Sequence, residues 1–230
     1  MRHRFAAAPK MPHTRRIMSS FEAVLFDLDG TLIDSIELIV QSFHHTHRAH
    51  FGSDRSDEFW ISGIGRPLRD QLGEVARDDE ELAALIETYR TYNLANHDAM
   101  VQAYPGAVDT VKTLAQRGVA LAIVTSKMRV GALRGLELLG LVDEFPVCVC
   151  ADDVTRGKPD PMPVELALSQ LKVDASNALF VGDSPHDLES GQRAGVKTAA
   201  ASWGPYDPAE LRAHAPTYWL EGLPEILDLP

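Results

Sequence analysis

Asp27 and Asp29 stand two residues apart at the end of an apolar run, Phe21-Glu-Ala-Val-Leu-Phe-Asp-Leu-Asp-Gly-Thr-Leu-Ile-Asp34. Two carboxylates that close repel and raise each other's pKa unless a cation joins them. Magnesium suits the pair, because it takes oxygen ligands from one or two carboxylates and completes its shell with water and substrate phosphate. A strand running into an ordinary Asp-Gly turn fits the same stretch, so the other reactive residues must decide. Thr125-Ser-Lys127 follows a second apolar run and puts a hydroxyl where a phosphate oxygen could accept a hydrogen bond. Lys158 lies between Gly157 and Pro159, where an ammonium can neutralise both a nucleophilic carboxylate and a phosphoryl group. Gly182-Asp-Ser-Pro-His-Asp187 brings two more acids, Asp183 and Asp187, to a helix start. Singly, these read as an N-cap, a solvated lysine and helix-start acids. A carboxylate pair, a hydroxyl, a lysine and a second acid group together point to metal-assisted phosphoryl transfer.

The elements that position these residues are legible in the spacing of apolar side chains. Val24, Leu25 and Phe26 suit a buried parallel strand, and residues i and i+2 on an extended segment share a side, so Asp27 and Asp29 are expected on one face. From Tyr104 onward helices and strands alternate. Strands are predicted over 119–124, 147–150, 178–181 and about 197–201, and helices over 107–117, 129–139, 162–171 and 185–194. Short connections between them imply right-handed crossovers and a parallel sheet covered on both faces, an α/β fold whose ligands bind at the carboxyl ends of strands. All four reactive groups fall at such ends.

Residues 35–100 behave differently. Helical spacing runs from Ser35, a plausible N-cap, to about His50, a short helix is expected over 67–75, and the acids of 78–81 precede another. No segment alternates like a strand, so this is an all-helical insertion whose ends return to the first strand. Three parts result: a basic extension over 1–20, a core made of 21–34 and 101–230, and a helical cap over 35–100. His44, His45, His47 and His50 lack an acidic partner or a third spaced ligand, and are read as a solvated or substrate-facing helix without a metal.

Composition narrows the function classes. A net charge of -11 argues against nonspecific binding to nucleic acid or anionic lipid. Arg2, Arg4, Lys10, Arg15 and Arg16 stand in the first twenty residues without an acid, so the remainder is more acidic still. That extension lacks the apolar stretch of a secretory signal, and no run is long enough to span a membrane. Cys148 and Cys150, the only cysteines, sit i, i+2 on an expected strand without the fold-back a comfortable disulfide needs, and are read as small buried apolar residues. Reduced thiols suit the cytoplasm.

Asp27-Leu-Asp-Gly-Thr-Leu-Ile-Asp-Ser35, Thr125, Lys158-Pro-Asp-Pro161 and Gly182-Asp-Ser-Pro-His-Asp187 resemble, in order and spacing, the four signature motifs of the haloacid dehalogenase-like hydrolases. The resemblance spans about residues 21–203 and implies a Rossmann-like core with a mobile helical cap. Carried onto this chain, it implies Asp27 as nucleophile and Asp29 as general acid/base, the latter favouring a phosphatase or mutase over a dehalogenase. Thr125 and Lys158 match phosphoryl-binding positions, with Ser126 and Gly30 beside them in support. Asp27, the main-chain carbonyl of Asp29 and Asp183 match a Mg2+ site, with Asp187 supporting. Thr125-Ser-Lys-Met-Arg129 and Asp152-Asp-Val-Thr-Arg-Gly-Lys158 look most like small pyrophosphatases and phosphoglycolate phosphatases. The expected partner is therefore a small phosphorylated metabolite, with the chain a monomer or homodimer. In the cap, Gly63-Ile-Gly-Arg66-Pro-Leu-Arg69 is the candidate loop facing the site, where Arg66 and Arg69 could clasp an anionic leaving group. A sugar phosphomutase, or a noncatalytic binding module, remain as alternative readings.

Overall fold

A computed structural model describes residues 21–230 of the chain; the basic extension over 1–20 lies outside them. Strand β1 (Ala23–Phe26) is buried along its whole length at the centre of a six-stranded sheet. It pairs in parallel with β4 (Ala120–Val124) on one side and β6 (Ala178–Gly182) on the other. Beyond β4 lies β5 (Val147–Val149); beyond β6 lie β7 (Lys197–Ala201) and β8 (Tyr218–Leu220), and every pairing is parallel. The order β5-β4-β1-β6-β7-β8 means the chain builds outward from β1 on one side, then returns to build on the other. That reversal opens a crevice at the carboxyl ends of β1, β4 and β6.

Period-two alternation divides the core into two layers. Val24 and Phe26 pack with Leu121, Ile123, Leu179 and Val181 against helices α5 (Ala107–Gln116) and α6 (Arg129–Leu139). Ala23 and Leu25 face the other way, with Ala122, Val124 and Phe180, against α7 (Met162–Leu171). Helix α8 (Pro185–Arg193) covers β6 and β7, and Leu188 meets Leu211 of the short α9 (Pro208–Ala213). Each fully buried side chain of the size of Phe26 or Leu25 contributes roughly 1.5–3 kcal/mol.

The cap comprises α1 (Ile36–Phe51), α2 (Asp57–Ile61), α3 (Leu68–Gly73) and α4 (Asp79–Met100). It owns a separate apolar cluster in which Phe43 stacks on Trp60 with ring centroids 4.6 Å apart and packs on Tyr89. Asp78 caps α4 by accepting from the Glu81 N–H, as the acidic run predicts. Both linkers to the core meet in a two-rung antiparallel ribbon, β2 (Ile33–Asp34) with β3 (Gln102–Ala103). Two-residue strands carry no period, so the spacing of apolar residues could not reveal them.

Four expectations need correction. The chain does not stay extended from Asp27 to Asp29, because β1 stops at Phe26 and the N–H groups of Thr31, Leu32 and Ile33 fold back onto the Leu28 carbonyl. Ser35 occupies the N-cap of α1 but its hydroxyl does not cap; it donates to Asp29 Oδ1 at 2.5 Å instead. His44 does have acidic partners, with Nδ1 2.7 Å from Asp54 and Nε2 2.8 Å from Asp57. They come from the turn and helix after α1, which close only in three dimensions. Finally, Cys150 is buried but Cys148 is only half-buried, and their Sγ atoms approach to 3.4 Å.

Candidate active site

At the mouth of the crevice Lys158 is almost fully buried, its Nζ 2.8 Å from Asp27 Oδ1 and 2.6 Å from Asp187 Oδ1. The contact with Asp187 is a hydrogen bond as well as an ion pair, and that with Asp27 is an ion pair. Lys158 also donates to the Val124 carbonyl at 3.3 Å, which ties it to the end of β4. Burial alone would lower the lysine's pKa; Asp187 and Asp27 outweigh it and hold the ammonium charged.

Asp187 is spoken for on both sides. Its Oδ2 accepts from the Ser184 hydroxyl and N–H at 2.6 and 3.1 Å, closing a capping box at the start of α8. Its neighbour Asp183, at the end of β6, accepts from the Thr31 hydroxyl on Oδ1 at 2.6 Å, while Oδ2 is buried without a hydrogen-bond partner. Thr31 is itself placed by Trp203, whose indole N–H donates to the Thr31 carbonyl at 3.0 Å.

Asp27, Asp183 and Asp187 offer oxygens within 4.8 Å of one another. Burial is the main reason that the Asp27 carboxyl is pushed up to about 7, with Lys158 pulling the other way; the same cause carries Asp183 well above the usual carboxylate range. A bare oxygen on Asp183 and two acids made reluctant to ionise form a donor set fit for a hard divalent cation. The backbone leaves room for nothing larger nearby: a Cβ on Gly30, whose φ is +83°, would lie 2.4 Å from Asp183 Oδ2.

Asp29 sits apart from that cluster. Its Oδ1 accepts from Ser35 and, at 2.7 Å, from Lys127 Nζ, with both members of the ion pair largely buried. Thr125 is buried at the end of β4 and its Oγ1 accepts from the Lys127 N–H. Ser126 donates to the Gly65 carbonyl of the cap at 2.5 Å. The Tyr206 hydroxyl reaches the same cap loop, 2.7 Å from the Ile64 carbonyl and 3.0 Å from that of Ser62. Cap and core so joined enclose a cavity of about 720 Å³, lined by Asp27, Asp29, Thr125, Lys127 and Lys158 below and by Arg66, Arg69 and Tyr89 above. Arg66 and Arg69 carry acids of their own, Glu74 at 2.7 Å and Asp79 at 2.8 Å.

Every core residue singled out in the sequence thus gathers at the carboxyl edge of β1, β4 and β6. Lys127, Thr31 and Ser35 stood within the quoted motifs without a role at the site, and Tyr206 was not singled out. Lys127 and Asp29 lie 98 positions apart, and Tyr206 and Ile64 lie 142 apart, so no local spacing links them.

A parallel sheet that collects buried acids, a charged lysine and hydroxyls under a helical cap defines a phosphatase of the α/β class. Residues 24–201 match the family described as haloacid dehalogenase-like hydrolase, and the chain belongs to that family. Among its relatives are two proteins named pyrophosphatase PpaX. The one from Halalkalibacterium halodurans is 42% identical over 206 residues, covering 90% of this chain and 95% of the relative. The one from Bacillus pumilus is 43% identical over 209 residues, covering 91% and 96%. A solved haloacid dehalogenase-like hydrolase from Bacteroides fragilis superposes with a TM-score of 0.84 at 26% identity, covering 90% of this chain and 99% of that one. A structure designated phosphoglycolate phosphatase, from Lactobacillus plantarum, gives 0.81 at 28% identity, covering 91% and 99%.

Proposed function

We propose that the chain hydrolyses a small phosphorylated metabolite through an aspartyl-phosphate on Asp27, with inorganic pyrophosphate as the preferred substrate and phosphoglycolate second. The observation that carries this reading is the buried group Asp27, Lys158, Asp187 and Asp183 lying beside a separately held Asp29. An Asp27 oxygen attacks phosphorus in line and the bond to the leaving oxygen breaks, while Asp29 gives that oxygen a proton. Asp29 then takes a proton from water, and the resulting hydroxide cleaves the acyl phosphate, returning Asp27 and releasing phosphate. Lys158 offsets charge on the phosphoryl oxygens, and Thr125 can donate to one of them. Asp187 keeps Lys158 in place.

Asp27, Asp183 and the main-chain carbonyl of Asp29 would hold Mg2+, which when bound supplies positive charge to the phosphoryl group and allows two buried carboxylates to ionise together. Pyrophosphate ranks first because relatives at 42% and 43% identity carry the name pyrophosphatase. Phosphate release with and without magnesium, measured as kcat/KM on pyrophosphate, phosphoglycolate and several sugar phosphates, tests the reading. Pyrophosphate far below phosphoglycolate would reverse the substrate order. Conversion of a sugar phosphate into its isomer without phosphate release would replace the hydrolase by a mutase.

A further inference from the structure

The cavity holds more cations than the proposed chemistry uses, and their pairings separate them. Arg66, Arg69 and Arg156 are each bonded to an acid of their own, Glu74, Asp79 and Asp160. Arg90 lies on an exposed part of α4. Lys158 belongs to Asp27 and Asp187. Lys127 alone in this set is bonded to Asp29, at 2.7 Å, with 12% and 14% of the two side chains exposed.

The position is built, not incidental. The Lys127 N–H donates to Thr125 Oγ1 at 3.2 Å, and its carbonyl accepts from the Ala151 N–H at 3.0 Å, so the backbone is held on both sides of its Cα. The aliphatic stem runs over Gly131, where a Cβ would stand only 3.0 Å from Lys127 Cε. A glycine there gives the stem its channel. An ammonium carries three donors, and Asp29 takes one.

We propose that Lys127 recognises negative charge on the leaving group, and so restricts the enzyme to substrates whose leaving oxygen carries a phosphate or carboxylate close by. The inference rests on Asp29 being the acid that meets the leaving oxygen. A group that donates to Asp29 lies one hydrogen bond from that oxygen, and anything attached to it comes within reach of Lys127 Nζ. The second phosphate of pyrophosphate and the carboxylate of phosphoglycolate both meet this condition. A neutral alcohol meets only Asp29. Because Lys127 is desolvated, an anion that shares its remaining donors makes charge-assisted bonds that water does not already supply.

Phosphoglycolate and 2-hydroxyethyl phosphate, which differ in the leaving group by a carboxylate against a hydroxymethyl, provide the probe. Wild-type enzyme with magnesium is expected to prefer phosphoglycolate by about 10- to 100-fold in kcat/KM. In Lys127→Met that ratio should collapse to within about threefold, with phosphoglycolate losing more than its neutral analogue, and Lys127→Arg should retain most of it. Pyrophosphate should fall with phosphoglycolate. A wild-type ratio near one overturns the inference without any variant, and so does a ratio that Lys127→Met leaves unchanged while both rates fall together, the mark of a lysine that only steadies Asp29. Absence of phosphate release from every substrate, p-nitrophenyl phosphate included, would instead bring down the proposed function, and this inference with it.

Discussion

Lys158 is the residue on which the charge balance of the site turns, since one ammonium stands between Asp27 and Asp187 with almost no exposure. Removing one partner of a buried ion pair leaves the other uncompensated, at a cost of about 3–5 kcal/mol. Lys158→Met should therefore lower stability to chemical denaturation by that order at neutral pH, chiefly through Asp187, whose Oδ1 loses its buried cation. A variant as stable as wild type would mean that Asp27 and Asp187 find other partners. Asp27→Asn is the contrasting case: it removes a buried charge and leaves the Lys158–Asp187 bond intact, so the thermal transition should persist while phosphate release disappears. Release at the wild-type rate would deny Asp27 the nucleophile's role. Asp27, Thr125, Lys158, Asp183 and Asp187 could be read from the sequence because each ends or closely follows an apolar run, and strand ends converge in a parallel sheet. Lys127 follows such a run too and stands in the Thr125-Ser-Lys-Met-Arg129 motif, but its pairing could not be read, because Asp29 stands across the β1–β4 crossover and only folding brings the two together.

At the scale of elements, the cap loop of residues 63–67 and the core meet with very little slack. Gly65 has φ +97°, and a Cβ there would come within 2.7 Å of Ser184 Oγ. Ser184 cannot retreat, because it caps α8 through Asp187. A non-glycine residue in left-handed backbone costs roughly 1–2 kcal/mol. Gly65→Ala should thus weaken the seating of the cap loop on Ser184 by a factor of about 5 to 30 and lower kcat/KM accordingly. An unchanged kcat/KM would show that the cap does not need this contact during turnover. The long elements were legible in the sequence, α1 and α4 from helical spacing and β1, β4 and β6 from apolar runs bounded by polar residues. The β2–β3 ribbon, α9 and β8 were not. They are two to six residues long, and the stretch after residue 201 is broken by Gly204, Pro205, Pro208 and Pro216, so no period can develop.

For the molecule as a whole, stability and metal binding are linked through pH. Burial raises the Asp27 carboxyl from 3.8 to about 7 and Asp183 in the same direction. The folded, metal-free chain therefore holds these protons to higher pH than the unfolded chain does, and its stability declines as pH rises from about 4 towards 7. A divalent cation binds the ionised acids and restores what was lost. The rise in Tm on adding magnesium should be larger at about pH 8 than at about pH 5.5, and equal shifts would place the ion elsewhere. Among the described residues no helix is long and apolar enough to cross a membrane. The ribbon of Ile33–Asp34 with Gln102–Ala103 sets both passages between sheet and cap side by side. In hereditary terms that makes the cap a cassette: a gene segment exchanged at this single gap moves no strand of the six-stranded sheet and leaves Asp27, Asp29, Lys127 and Lys158 on the inherited core.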